Sequence, residues 1–116
     1  YQGGIIFYLD CNGGGLIAAT ADYNGVLDWV GAMSYCDGYT VTVGSNTYDD
    51  WYLPSKFELN LLYEQQTAIG GFTTGDYWSS SGDGNGVAWV QDFNYGNQGY
   101  TDGSNYDMFV RAVRAF

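Results

Sequence analysis

No histidine occurs in the 116 residues, which removes together the commonest general base and the commonest zinc ligand. Cations are nearly as scarce. Lys56, Arg111 and Arg114 stand against 13 acids, for a net charge of −10. Nucleic acid and anionic membranes reward clustered Lys and Arg, so the charge argues against both as partners. There is no run of 18 apolar residues and no signal-peptide pattern, so no segment is read as inserting into a membrane. The only two cysteines, Cys11 and Cys36, read either as a disulfide, which the chain-entropy model credits with about 3 kcal/mol, or as two buried free thiols. Proline is confined to position 54.

Aromatic residues are abundant instead, at 19% of the chain with 12 Tyr and 4 Trp. The length allows one domain over 1–116 with a single small core, which leaves many tyrosines outside it. Exposed Tyr supplies rigid, amphipathic contact area at low entropic cost, the property of binding loops. The start at Tyr1, directly ahead of a strand-like run, reads as a domain trimmed from the C-terminal part of a longer parent that carries the export signal.

Apolar periodicity gives the elements. Gly3–Leu9 and Leu16–Thr20 read as two strands of a hairpin, punctuated by Gly13–Gly15. Trp29, Ala32, Met33 and Cys36 recur at helical spacing, predicting a helix that starts near Asp28 and ends before Gly38. Tyr39–Asp50 reads as a loop with a short extended piece. Pro54 forces Leu53 to be extended, and Ser55 with Glu58 forms a capping box that opens a helix over Lys56–Gln65. Gly70–Gly71 ends that unit. Tyr77–Ser81 and Val87–Phe93 read as strands, and Phe109–Phe116 as an apolar closing strand. In Val87–Phe93, alternation puts Trp89, Gln91 and Phe93 on an inward face and Val90 and Asp92 on the opposite one.

From Gly82 to Asp107 the chain uses almost only Gly, Asn, Asp, Tyr, Ser, Thr, Val, Ala and Phe, with no Lys, Glu, Leu, Ile or Arg. Every residue of this run except Trp89, Gln91 and Gln98 can be reached from an AAY asparagine codon by changing adenines alone. Such a segment reads either as one diversified at adenines or as a polar, turn-rich loop. The sorting of Trp89 and Gln91 onto the face of Phe93 favours diversification.

The chemical signals are thin. Asp83–Gly86 and Asp102–Asp107 look superficially like calcium loops but lack the closing Glu of a complete one, so no cofactor is expected and calcium only as an adventitious, weakly held ion. No nucleophile motif or placed carboxylate pair supports catalysis, and no enzyme activity is expected. Lys56, Arg111 and Arg114 are expected to form internal ion pairs, with a helix carboxylate such as Glu58 as the partner of one of the arginines.

Several blocks together (GGIIFYLD, GLIAA, W-x-x-A-x-x-x-C at 29–36, W-x-LPS-x-x-EL at 51–59, YWSSS, AWVQDF and VRAVRAF) resemble the C-terminal domain of bacterial collagen-like adhesins, a C-type-lectin-like fold that also occurs as the variable protein of diversity-generating retroelements. The resemblance implies an α+β domain with two helices flanking small antiparallel sheets and with N- and C-terminal strands paired. It implies a scaffold of Trp78, Trp89, Phe93 and Val113. It also implies a ligand-binding display surface of Asp83, Asn85, Val90, Asp92, Tyr95, Tyr100, Asp102, Ser104, Asn105 and Tyr106. The Glu-Pro-Asn or Gln-Pro-Asp tripeptide of calcium-dependent sugar-binding lectins is missing, which argues against a calcium-bridged sugar site. The expected function is therefore receptor or cell-surface recognition by an extracellular, cell-surface or virion-surface (phage) protein, as a monomer or as an oligomer such as the trimers of related displays. The alternatives are a fixed adhesin domain binding matrix protein or glycan, and an enzyme of the same fold.

Overall fold

The computed structural model describes residues 1–116, and its first sheet follows from apolar content. Strand β1 (Gly4–Leu9) pairs antiparallel with β2 (Gly15–Ala19), Gly4 opposite Ala19 and Leu9 opposite Gly15. Asp10 turns the hairpin, its Oδ1 accepting from the Asn12 and Gly14 amides at 2.7 and 2.9 Å. Helix α1 (Trp29–Asp37) starts where expected, capped by Asp28 Oδ1 accepting from the Gly31 amide at 2.8 Å, and buries Ala32 and Cys36. The segment expected to be mostly loop folds back as a short hairpin of β3 (Val41–Val43) and β4 (Asn46–Tyr48).

Helix α2 (Lys56–Glu64) opens with the predicted capping box. Ser55 Oγ accepts from the Glu58 amide at 3.1 Å while Glu58 Oε1 accepts from the Ser55 amide at 2.9 Å. Leu59 and Leu62 form its buried stripe, and a single turn, α3 (Gln66–Ile69), follows it. A second antiparallel sheet consists of β5 (Asp76–Gly82), β6 (Val87–Asp92) and β7 (Gln98–Asp102), in that order. The last strand, β8 (Val113–Ala115), returns to the first sheet. The domain is α+β with a C-type-lectin-like fold: two nine-residue helices flank small antiparallel sheets.

One detail of the expected topology is corrected. The first and last strands share a sheet but are not neighbours, because β8 pairs with β2, Leu16 opposite Ala115 and Ala18 opposite Val113. The central place goes to the strand that is apolar on both faces. Ile17, Ala18 and Ala19 are all buried, whereas β1 exposes Ile6, Tyr8 and Leu9 as an edge strand does.

The second sheet is a middle layer. On one side Trp78, Ala88 and Val90 pack with Trp51, Ile17 and the buried residues of α1. On the other, Tyr77 and Phe93 pack with Leu59, Leu62 and Val113. The indoles of Trp78 and Trp29 donate to Leu27 O at 2.7 Å and Ser79 O at 2.8 Å, so neither buried N–H is left unpaired.

Between the two sheets runs Met108–Val113, and Arg111 at its centre is fully buried. Its Nε donates to Asp22 Oδ1 at 2.6 Å, Nη1 to Ala19 O at 2.9 Å and Nη2 to Gly70 O at 3.1 Å. Its guanidinium carbon lies 4.0 Å from the centre of the Phe72 ring. Asp22 also accepts from the Tyr77 hydroxyl, and burial followed by that hydrogen bond pushes the phenol above its ordinary range. Arg114 pairs with Asp50 nearer the surface. The arginines thus form internal ion pairs, but not with Glu58, whose carboxylate caps its own helix and accepts from the Tyr52 hydroxyl at 2.7 Å, and Lys56 forms none, its ammonium lying over the Trp89 ring instead. Gly71, with φ +77, lies within the turn that brings Gly70 O to Arg111; a Cβ there would come 3.1 Å from Nη2.

The cysteines are both free, which overturns the disulfide alternative, but only Cys36, in α1, is buried, since Cys11 lies exposed on a turn. Burial pushes the Cys36 thiol up to about 12, so it stays protonated below that pH. One thiol per chain is expected to react with an aromatic disulfide reagent at pH 8 in the native state, and two in denaturant. Two reactive thiols in the native state would contradict this burial. Asp22→Ala, which strands a buried guanidinium, is expected to cost about 3–5 kcal/mol in urea unfolding. Arg114→Gln, at a more exposed pair, should cost about 1 kcal/mol or less.

Candidate binding surface

Three hydrogen-bonded turns and a fourth hydrogen bond between loops shape the edges of the second sheet. Asp83 Oδ1 accepts from the Asn85 amide at 2.8 Å, Asp92 Oδ1 from the Asn94 amide at 2.7 Å, and Asp102 Oδ1 from the Ser104 amide at 2.8 Å. The fourth joins two loops, where the Gly103 amide donates to Gly86 O at 2.8 Å. An Asp or Asn two residues ahead of the amide it accepts from mimics a backbone turn, so these loops hold their shape without a core of their own. Hydrogen bonds from the Ser104 amide and hydroxyl keep the Asp102 carboxyl below the ordinary aspartate range. At the other end of the sheet, burial and then the facing Asp92 raise the Asp76 carboxyl.

The loops 83–86 and 103–107 therefore meet at one end. Asp83, Asn85, Asp102, Ser104, Asn105 and Tyr106 are exposed there together, and Tyr100 stands exposed on the sheet face. Three expected display residues, Val90, Asp92 and Tyr95, lie elsewhere. Tyr95 is 79% exposed, but it sits in the β6–β7 turn with Asp92, one strand length or about 16 Å from the first cluster. Val90 is corrected outright. It is buried in the core with Trp78 and Ala88, because its face of β6 meets the core on the α1 side and not solvent. Alternation reports which residues share a face, but the apolar run Val87–Val90 is equally the mark of a strand covered on both faces.

The face toward α2 is fixed by three side chains. Gln91, fully buried, donates from Nε2 to Asn60 Oδ1 at 2.9 Å and to Gly96 O at 3.0 Å. Gln98, opposite it in register, donates to Lys56 O at 2.7 Å and to Gln91 Oε1 at 3.2 Å. Trp89 is half-buried, with the Lys56 ammonium 4.0 Å from the centre of its ring and Tyr100 against it at 5.2 Å and 62°. Trp78, Phe93 and Val113 are core residues, in keeping with a scaffold role.

Beyond this row, Asp83, Val87, Trp89 and Tyr100 line an open cavity of about 270 Å³. Phe57, the residue after Lys56, is 75% exposed nearby and within cation–π reach of the Lys56 ammonium at 5.4 Å. Reading the sequence missed Val87, Lys56 and Phe57 as surface candidates and counted Trp89 as scaffold only. One signal was available: Phe57 lies off the Leu59–Leu62 stripe of its helix and so faces out. A second cavity of about 400 Å³, lined by Met33, Ser34, Asp37, Tyr52, Leu53 and Ser80, lies outside the 82–107 run. No three acidic or thiol side chains converge closely enough to hold a metal ion.

Gln91→Leu is expected to destabilise by about 1–3 kcal/mol in urea unfolding, because Gly96 O and the Gln98 amide lose a buried partner. Asn105→Ala, in an exposed turn, should stay within about 0.5 kcal/mol of the parent.

The sequence family described as the Lcl C-terminal domain matches residues 10–114. No curated protein matches the chain.

Proposed function

This chain belongs to the Lcl C-terminal domain family, which makes it an adhesin-like, ligand-binding domain, and from that premise we propose that it is the variable protein of a diversity-generating retroelement. In this reading its exposed 82–107 surface recognises a receptor or cell-surface ligand outside the cell or on a virion. It is a binder and not an enzyme, and recognition depends on side chains held on fixed turns.

One observation carries the reading. The three residues of the run that adenine substitution cannot supply, Trp89, Gln91 and Gln98, all have side chains in contact with α2, in one row with Phe93. A merely polar loop has no reason to place its codon exceptions in one supporting row. Sterics hold other positions of the run. A Cβ on Gly82 would fall 2.5 Å from the Trp29 ring, one on Gly103 2.8 Å from Trp29 Cβ, and one on Gly96 2.5 Å from the Tyr63 ring. Around them stand Tyr, Asn, Ser and Asp, the combination of rigid aromatic anchor and adaptable polar contact found in antibody paratopes.

Family membership equally accommodates a fixed adhesin domain that binds matrix protein or glycan. A net charge of −10 counts against sulfated polymers as that ligand. Sequencing the parent locus separates the two. The retroelement reading expects a nearby reverse-transcriptase gene and a near-identical repeat, with adenines at the codons for 83, 85, 95, 100, 102 and 104–106 and matching codons at 89, 91 and 98. A locus with neither feature would leave the fixed adhesin.

A further inference from the structure

The cavity beside Trp89 has a chemistry that narrows the ligand. Its walls are two aromatic rings, Trp89 and Tyr100, meeting edge to face at 5.2 Å, with Val87 and the Asp83 carboxylate completing it. Asp83 Oδ1 is committed to the amides of Asn85 and Val87, and Oδ2 makes no hydrogen bond within the protein. Asp102 stands opposite Val87 in register, so a second carboxylate belongs to the same end of the sheet. The run 82–107 holds Asp83, Asp92, Asp102 and Asp107 and not one base. At about 270 Å³ the space falls just under the roughly 300–1,000 Å³ of small-molecule pockets, which suits one inserted side chain.

The protein already shows what the Trp89 ring attracts. The only lysine of the chain, Lys56, holds its ammonium 4.0 Å from the ring centre. An aromatic face flanked by carboxylates favours a cation through the ring quadrupole and the local field together. Guanidinium suits such a corner better than ammonium, because it is planar, stacks on rings, pairs with carboxylate in a fork and is more weakly hydrated.

From this we infer that the Asp83–Val87–Trp89–Tyr100 cavity receives an arginine side chain projecting from a basic surface of the partner protein. The inference rests on the display reading of the same surface and names the ligand class in this variant. A change at Asp83 or Tyr100, both in codons that adenine substitution can supply, would then alter specificity while leaving Trp89 in place.

The test uses the whole chain, labelled with ¹⁵N, and three probes: a capped Arg-Gly-Arg-Gly-Arg peptide, the same peptide with Gln for Arg, and methyl glucoside. The arginine peptide is expected to shift the Trp89 indole N–H saturably and the glutamine peptide is not. Asp83→Asn keeps the oxygen that holds the turn and removes the charge, and Tyr100→Ala removes one wall. Each should weaken the arginine peptide about fivefold, the scale of one cation–π or ion-pair contact. Shifts spread evenly over the acidic surface and unchanged in both variants would reduce the effect to net charge and overturn the site. Shifts from methyl glucoside with none from the arginine peptide would overturn it in favour of sugar stacking. The codon record of the locus does not depend on ligand chemistry, so failure here leaves the display reading to its own test.

Discussion

Six residues, Met108–Val113, hold this molecule together. Met108 exchanges hydrogen bonds with Leu27, Phe109 bonds to Asp76 and Trp78, Val110 to Tyr23, Ala112 to Ala19, and Val113 exchanges a pair with Tyr52. The segment is not a long strand in any one sheet, so it is a seam to which both sheets and the segments preceding the two main helices are fastened. Arg111 occupies its middle as the one fully buried cation, and Asp22, Ala19 O and Gly70 O satisfy it. A buried ion pair offers little net stability over an apolar substitute, but breaking one side is costly. Its consequence here is positional. With Arg111 fixed, the chain must leave the 82–107 run at one place and in one direction, whatever that run contains.

The same economy extends through the second sheet. Its central strand β6 is packed on both faces, by the core on the α1 side and by α2 on the other. The Gln91–Gln98–Asn60 hydrogen bonds set the position of α2 on β6 and β7. The loops beyond are turned by side-chain oxygens of Asp83, Asp92 and Asp102, which ask only for a short acceptor at one position of each turn. Neighbouring side chains are then free of structural duty. Tyr95, Tyr100 and Tyr106 are exposed because the aromatic core is already filled by Trp51, Trp78, Tyr77 and Phe93. A scaffold of this kind separates what must stay from what can change, the property the proposed function requires.

Features set by neighbours in sequence were legible before the fold was known. The Ser55–Glu58 capping box, the helix starting near Asp28 and the β1–β2 hairpin each depend on residues a few positions apart, and each stands as read. Features set by distant pairing were not. Asp22 and Arg111 are 89 positions apart, and among 13 acids nothing local marks Asp22 as the partner. Val90 was misplaced for the same reason. Period-2 alternation orders the faces of a strand, but what covers each face depends on where α1 and α2 return. The expected display residues do not form one patch: Tyr95 stands at the far end of the sheet, while Trp89, expected as scaffold, and Val87 line the cavity. The free state of Cys11 and Cys36 likewise followed from placement, one on a turn and one inside a helix.

The central claim is that a fixed supporting row and a substitutable surface are interleaved within one short run. A substitution scan of every position from 82 to 107, scored by protease resistance of the displayed domain, tests it most directly. The account predicts intolerance at Gly82, Ala88, Trp89, Val90, Gln91, Phe93, Gly96, Gln98 and Gly103, and broad tolerance at Asn85, Tyr95, Tyr100, Ser104, Asn105 and Tyr106. Tolerance spread evenly along the run, or intolerance at the exposed tyrosines equal to that at Gln91 and Gln98, would contradict it.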